Sequence, residues 1–186
     1  MKRTFDLILG LILLLIFALP LLIVAALVRL TSKGPAIHWS KRIGINNKIF
    51  LMPKFRSMKV DAPQLATHLI ADPKSLLTPI GGFIRKTSLD ELPQLWSVIN
   101  GDMSFVGPRP ALFNQDDLIS LRTEKNVHLL KPGITGWAQI NGRDDLPIPT
   151  KVNFDEWYLK NQTLGLDIKI IFLTAYKVFK SEGIQH

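Results

Sequence analysis

From Leu7 to Val28 the chain carries no charged residue and consists mainly of Leu, Ile, Val, Ala and Phe. At about 1.5 Å of rise per residue, a helix of this length can reach across the roughly 30 Å of bilayer hydrocarbon. The run exceeds the roughly 7 to 15 apolar residues of a signal-peptide core, and no small-residue cleavage site follows it, so the element is expected to stay on the chain. Lys2 and Arg3 precede it, and Arg29, Lys33, Lys41 and Arg42 follow. The positive-inside rule would keep both of its ends on the cytoplasmic side. Pro20, near the middle, lacks an N–H and crowds the preceding turn, which predicts a kink. Two readings fit: a single span with a tolerated proline, and a helix that enters, bends and returns to the same face. Asp6 is expected near headgroups, paired with Arg3 or with a cation beyond the helix.

Beyond this run the pattern changes. Gly34-Pro35 stops the helix. Ala36 to Ser40 and Lys48 to Met52 are short β-prone stretches around Gly44-Ile45-Asn46-Asn47, which predicts a β-hairpin. Lys54-Phe55-Arg56-Ser57-Met58 reads as a strand with Lys54 and Arg56 on one side and Phe55 on the other. A helix is expected from Asp61 to Ile70, with His68 a surface or core residue. Further helices are expected over Asp116 to Val127, over Val152 to Asn161, and from Asp167 onward. In the last, Ile168, Ile171, Phe172, Ala175, Val178 and Phe179 share one face, which closes the core or lies on lipid. The fold class is therefore α+β and predominantly helical, divided into 1–31 as a membrane element and 32–186 as a cytosolic domain.

Across 186 residues the net charge is +8 and the pI about 9.8, which points to polyanionic partners. There is no cysteine, which excludes a disulfide framework, a thiolate metal site and a thiol nucleophile. No recognised nucleic-acid-binding module is present, and neither a G-x-G-x-x-G nor a P-loop occurs.

The stretch with the most chemistry is Arg85-Lys86-Thr87-Ser88-Leu89-Asp90-Glu91-Leu92-Pro93-Gln94-Leu95. Pro93 suits a first helical turn, which places Asp90 or a near neighbour at the N-cap of a helix running to Ile99. There the helix dipole would keep a carboxylate ionised and favour a phosphate beside it. Ser88 and Glu91 also match an ordinary capping box, so a reactive pair and a structural cap are both open. In Gly107-Pro108-Arg109-Pro110, prolines on either side hold Arg109 extended, and a rigidly presented guanidinium suits bidentate phosphate binding. Lys131 to Arg143 reads as a long glycine-bearing loop whose two end cations could meet phosphates, with Trp137 stacking on a base, lying at a membrane interface or packing in the core.

Taken together, the segments resemble the bacterial sugar transferase family, the monotopic phosphoglycosyl transferases. The resemblance is carried by Lys33-Gly34-Pro35, Arg42-Ile43-Gly44, Lys54-Phe55-Arg56-Ser57-Met58 and Ser88-Leu89-Asp90-Glu91-Leu92-Pro93-Gln94. It continues through Gly101-Asp102-Met103-Ser104, Gly107-Pro108-Arg109-Pro110 and Lys131-Pro132-Gly133-Ile134-Thr135-Gly136. It implies a minimal form without the extra transmembrane domain of longer relatives, with a re-entrant N-terminal helix on the cytosolic face of the bacterial inner membrane. It further implies Asp90 as nucleophile with Glu91 as partner, Mg²⁺ held by Asp90 and Glu91, and Arg109 on phosphate; Lys54, Arg56, Arg85, Lys131 and Arg143 are the other cations expected to bind substrate. The implied partners are a UDP-sugar, polyprenyl phosphate, membrane lipid and downstream glycosyltransferases. The chain departs from the pattern at Leu19-Pro20, where the family often has Ser before Pro. It also departs at Pro79 and Gly82, where further arginines are common, and around Ser40, where a glutamine is common. The rival expectation is a membrane-anchored basic scaffold that binds anionic lipid without catalysis.

Overall fold

The structure, a computed structural model, describes residues 1–63, 72, 75–142 and 146–179. Residues 64–70 of the helix expected from Asp61, His68 among them, lie outside the described residues, as does Arg143.

The apolar run forms two helices, α1 (Lys2–Ile16) and α2 (Ala18–Thr31), bent by 62° at Phe17. Neither is by itself long and apolar enough to cross a membrane. The break falls one turn before Pro20, because the proline ring displaces the carbonyl four residues back, that of Ile16. Leu11, Leu15, Leu19, Leu22 and Leu30 are exposed along the pair, while Val24 and Val28 are buried against Phe55 and Ile84.

Polar groups tie both ends of the pair to the rest of the fold. Lys2 Nζ meets Asp167 Oδ2 at 2.6 Å and Val106 O at 3.1 Å, and the Tyr158 hydroxyl donates to the other Asp167 oxygen. Arg3 donates to the Val98 and Ile99 carbonyls. Asp6 is therefore not paired with Arg3. It is buried and accepts from Phe105 N at 3.2 Å. At the far end Arg29 donates to Gly34 O, and Arg56 donates to Pro35 O and to both oxygens of Ser32.

The predicted hairpin is present and longer than expected: β1 (Ile37–Ile43) pairs antiparallel with β2 (Ile49–Phe55), Ile37 opposite Phe55 and Ile43 opposite Ile49. Its turn places Asn46 and Asn47 at positive φ, which asparagine tolerates better than most side chains. Next come α3 (Gly81–Lys86), a 3₁₀ turn over Leu89–Glu91, and α4 (Gln94–Asn100). β3 (Ser104–Val106) follows, then α5 (Asp116–Glu124).

The stretch expected to be a long loop instead holds β4 (Gly133–Thr135), parallel to β3, and α6 (Trp137–Ile140). Its glycines serve backbone packing. A Cβ on Gly133 would lie 2.1 Å from Gly107 N, and one on Gly136 would lie 2.1 Å from Gly107 O. Trp137 stacks on Trp157, ring centroids 4.5 Å apart, so of the three readings packing within the protein is the one observed.

The last described elements are α7 (Ile148–Asn161) and α8 (Leu164–Phe179). α8 closes the core, but through a different stripe from the one the periodicity suggested. Ile170 and Asp167 are buried and Thr174 bonds Thr135, while Ile168, Phe172 and Val178 face outward. Asp167 is the reason: its carboxylate must reach Lys2 and Tyr158, and that fixes the rotation of the helix. The main core joins Met52, Leu95, Val98, Met103, Phe105, Val106, Ile140, Tyr158 and Ile170, so β2, α4, β3, α7 and α8 share one interior. Among the described residues these elements make an α+β, mostly helical protein with two small sheets and a bent apolar helix pair.

Candidate active site

Asp90 and Glu91 occupy the 3₁₀ turn between α3 and α4, with Pro93 at the N-cap of α4. Ser88 is left-handed (φ 56°) and its side chain makes no capping bond, so the capping box does not form. Without an N–H, Pro93 cannot donate to the 3₁₀ ladder and only accepts, from Trp96 N at 3.0 Å, and the handover from 3₁₀ turn to α-helix occurs there. The acids therefore precede the helix rather than cap it. Asp90 is 9% exposed, and Glu91 is half-buried.

Cations converge on this turn from three directions. Lys54 Nζ, on β2, lies 2.7 Å from Glu91 Oε1. Arg109, after β3, reaches the same oxygen at 3.5 Å. Arg85, in the last turn of α3, lies close enough to favour the ionised form of Asp90. Burial would raise both carboxyls, but the two neighbours titrate differently. For Glu91 the fields of Lys54 and Arg109, with the Lys54 hydrogen bond, outweigh burial and hold it well below the usual carboxylate range. For Asp90 burial wins, helped by the Glu91 charge, and the carboxyl is pushed up to about 6 despite Lys54, Arg85 and Arg109. The expectation of a dipole-stabilised Asp90 carboxylate is thus corrected. The fully ionised acid is Glu91, and Asp90 carries the looser charge.

Two other cations predicted for the site lie elsewhere. β2 ends at Phe55, which is buried in the core, so the alternation that would put Arg56 beside Lys54 stops there. Arg56 is itself buried and donates to Ser32 and Pro35 at the end of α2. Lys131 Nζ lies beside Gly101 and Arg3 at the C-terminal end of α4, the opposite end from the acids. Arg42 was legible only as part of a motif, yet its field reaches Glu91 and its Nη1 donates to Pro110 O. Sequence reasoning missed Arg122 and Asp155, a buried pair on α5 and α7 that packs behind Arg109. Their signal was weak: charged residues in segments otherwise read as ordinary amphipathic helices.

The turn thus gathers an anionic carboxylate with two cations within 4 Å of it and, next to it in the chain, a carboxyl pushed up to about 6. Chemically this suits a nucleophilic or metal-binding acid facing an anionic ligand. Among the described residues no group of three or more His, Asp or Glu side chains could hold a metal ion by itself. Two adjacent carboxylates nonetheless match the way Mg²⁺ is held when substrate phosphates complete its oxygen shell.

Residues 1–181 match the sequence profile described as bacterial sugar transferase. The chain is 45% identical over 187 residues to an uncharacterized sugar transferase, EpsL, of Bacillus subtilis, covering all of this chain and 90% of that protein. It is 42% identical over 201 residues to the undecaprenyl-phosphate galactose phosphotransferase of Salmonella typhimurium. It is 41% identical over 192 residues to the UDP-glucose:undecaprenyl-phosphate glucose-1-phosphate transferase of Escherichia coli. Each of the last two matches takes in 98% of this chain but only 41% of the longer relative.

Proposed function

This chain belongs to the bacterial sugar transferase family, and from that premise we propose that it transfers a sugar 1-phosphate from a UDP-sugar to undecaprenyl phosphate. The products are UMP and a polyprenyl diphosphate sugar. The observation that carries the reading is the unequal pair. Glu91 is neutralised by Lys54 and Arg109, while the Asp90 carboxyl beside it makes no ion pair among the described residues, is pushed up to about 6 by burial, and so is mainly ionised at pH 7.

In the first half-reaction an Asp90 oxygen attacks the β-phosphorus. The bond from that phosphorus to the bridging oxygen breaks, and the oxygen leaves with UMP. The sugar phosphate remains on Asp90 as an acyl phosphate, which conserves the transfer potential of the broken diphosphate. In the second, an oxygen of undecaprenyl phosphate attacks the same phosphorus and the Asp90 carboxylate is released. Arg109 and Lys54 offset the repulsion between an anionic nucleophile and an anionic target. Mg²⁺, when bound by Asp90, Glu91 and substrate phosphates, would add further charge neutralisation. Arg85 lies on the nucleophile's side and is assigned to the same phosphates.

Membrane association supplies the lipid substrate. The division is 1–31 as anchor and 32–186 as catalytic part. Lys2, Arg3 and Asp6 at one end of the bent pair, and Arg29 with Ser32 at the other, bond to the same body, which favours a re-entrant anchor over a span. Phe83 on α3, Trp96 on α4 and Phe172 on α8 are exposed large apolar groups of the kind that rest in a headgroup layer. We place the protein on the cytosolic face of the bacterial inner membrane, where downstream glycosyltransferases would take its product.

UMP release should be measured across a panel of UDP-sugars with undecaprenyl phosphate and Mg²⁺. Release with one or a few sugars, dependent on the lipid for turnover, is the expected outcome. No release with any sugar favours the lipid-binding scaffold instead.

A further inference from the structure

Residues 107–111 present Arg109, and the two prolines there have no N–H to give. The segment is therefore held largely by its carbonyls. Gly107 N donates to Thr135 O and Gly133 N to Pro108 O, each at 2.9 Å, so the β4 backbone secures one side. Ile43 N donates to Ala111 O at 3.0 Å, and Arg42 Nη1 to Pro110 O at 3.1 Å. The carbonyl of Arg109 itself accepts from Arg122 Nη1 at 2.8 Å.

Arg122 can do this because its other donors are occupied elsewhere. Nε and Nη2 both reach Asp155 Oδ2, at 3.0 and 2.7 Å, and both side chains are buried. A buried ion pair is a costly way to join two helices, since apolar residues of similar volume commonly do as well or better. What apolar residues cannot supply is a charged donor, fixed in direction, for the main chain of Arg109. A guanidinium suits that use because its fork engages the carboxylate with two N–H groups and keeps a third for the carbonyl.

We propose that Arg122, oriented by Asp155, is a positioning residue: it locks the Arg109 main chain so that the guanidinium points at the acidic turn and at the phosphates of the nucleotide-sugar. The inference rests on the reading of Arg109 as a phosphate ligand for its catalytic consequence, but not for its structural one.

The test uses the full chain in nanodiscs. The double variant Arg122→Met/Asp155→Leu removes both charges together and so leaves neither orphaned. Arg122→Lys keeps the charge opposite Asp155 but lacks the fork. With UDP-glucose and UDP-galactose as probes, each is expected to lower kcat/KM about tenfold, chiefly through KM. In an Arg109→Ala background the pair replacement should add less than about twofold. Loss of the full tenfold again in that background overturns the inference, as does unchanged kcat/KM in both variants when Arg109→Ala itself is impaired. The second readout is the ¹⁵N–¹H resonance of Arg109 Nε. It should report a freer side chain in the double variant, and an equally ordered one overturns the inference whatever the turnover. A mobile Arg109 with undiminished turnover, together with an active Arg109→Ala, would fail the phosphate reading and leave the positioning role standing.

Discussion

Asp90→Asn should stabilise the protein while abolishing transfer, and the size of the gain should depend on pH. Burial, with the Glu91 charge beside it, lifts the Asp90 carboxyl from an ordinary 3.8 to about 6. The folded protein therefore holds that proton more tightly than the unfolded chain does. Stability is full below pH 3.8, falls as pH rises through about 6, and stays reduced above it, by about 3 kcal/mol for a displacement of this size. An amide mimics the neutral acid, so Asp90→Asn should be insensitive to this window. Any packing penalty of the amide is common to all pH values. The diagnostic quantity is therefore the change in the gap between the two proteins from pH 4, where the unfolded chain has already begun to release the proton, to pH 8. That change is about 2.4 kcal/mol, and at roughly 2–4 °C per kcal/mol for a chain of this size the gap should grow by about 5–10 °C in Tm. Thermal unfolding in detergent, followed by tryptophan fluorescence at both pH values, measures it. A gap that stays constant with pH, or that shrinks toward pH 8, would refute the argument that Asp90 is held against its own charge.

Lys54→Met removes the leading cationic influence on both acids, so Asp90 should stay protonated to higher pH and the acid limb of kcat/KM should move above about 6. A limb that does not move in the pH–rate profile would deny Lys54 that role. Glu91 has the opposite sign from Asp90. Its depressed folded value adds stability above the ordinary 4.5 that fades as pH falls, so Glu91→Gln should cost stability at pH 7 and little in strong acid, as urea midpoints would show. Gly133→Ala should cost about 3 kcal/mol or more, because its Cβ would meet backbone 2.1 Å away that cannot retreat. Gly165→Ala in α8, with nothing within 4 Å, should instead gain up to about 1 kcal/mol by the same urea measurement. The absence of native cysteine allows single-cysteine topology mapping. Thr4→Cys and Lys33→Cys should react with an impermeant maleimide from the same face of sealed vesicles, and labelling from opposite faces would mean a span.

Local signals carried the helix break, the hairpin, the acidic pair and the Pro-flanked Arg109, because each depends on residues within a few positions of one another. The bend near Pro20 and the asparagine turn follow from backbone sterics alone. What the sequence hid are choices made at long range. Arg56 belongs by alternation with Lys54, but the strand ends one residue too early, and the carbonyls that claim Arg56 lie more than twenty residues away. Asp6, Asp167 and Lys2 looked like edge charges on apolar helices, yet each is spent on a buried or partly buried contact between the bent helix pair and the rest of the fold. The rotation of α8 could not be read from its apolar period because one buried aspartate outweighs it. Ser88 and Glu91 fit a capping box in spelling, and only the left-handed backbone at Ser88 removes it.

The central claim is that Asp90 itself carries the phosphosugar. Incubating the protein with a UDP-sugar labelled in the β-phosphate, with no lipid acceptor present, should leave label on the intact polypeptide, none on Asp90→Asn, and full discharge into lipid once undecaprenyl phosphate is added. Transfer that proceeds with no label ever on the protein, or label that survives in Asp90→Asn, would contradict it.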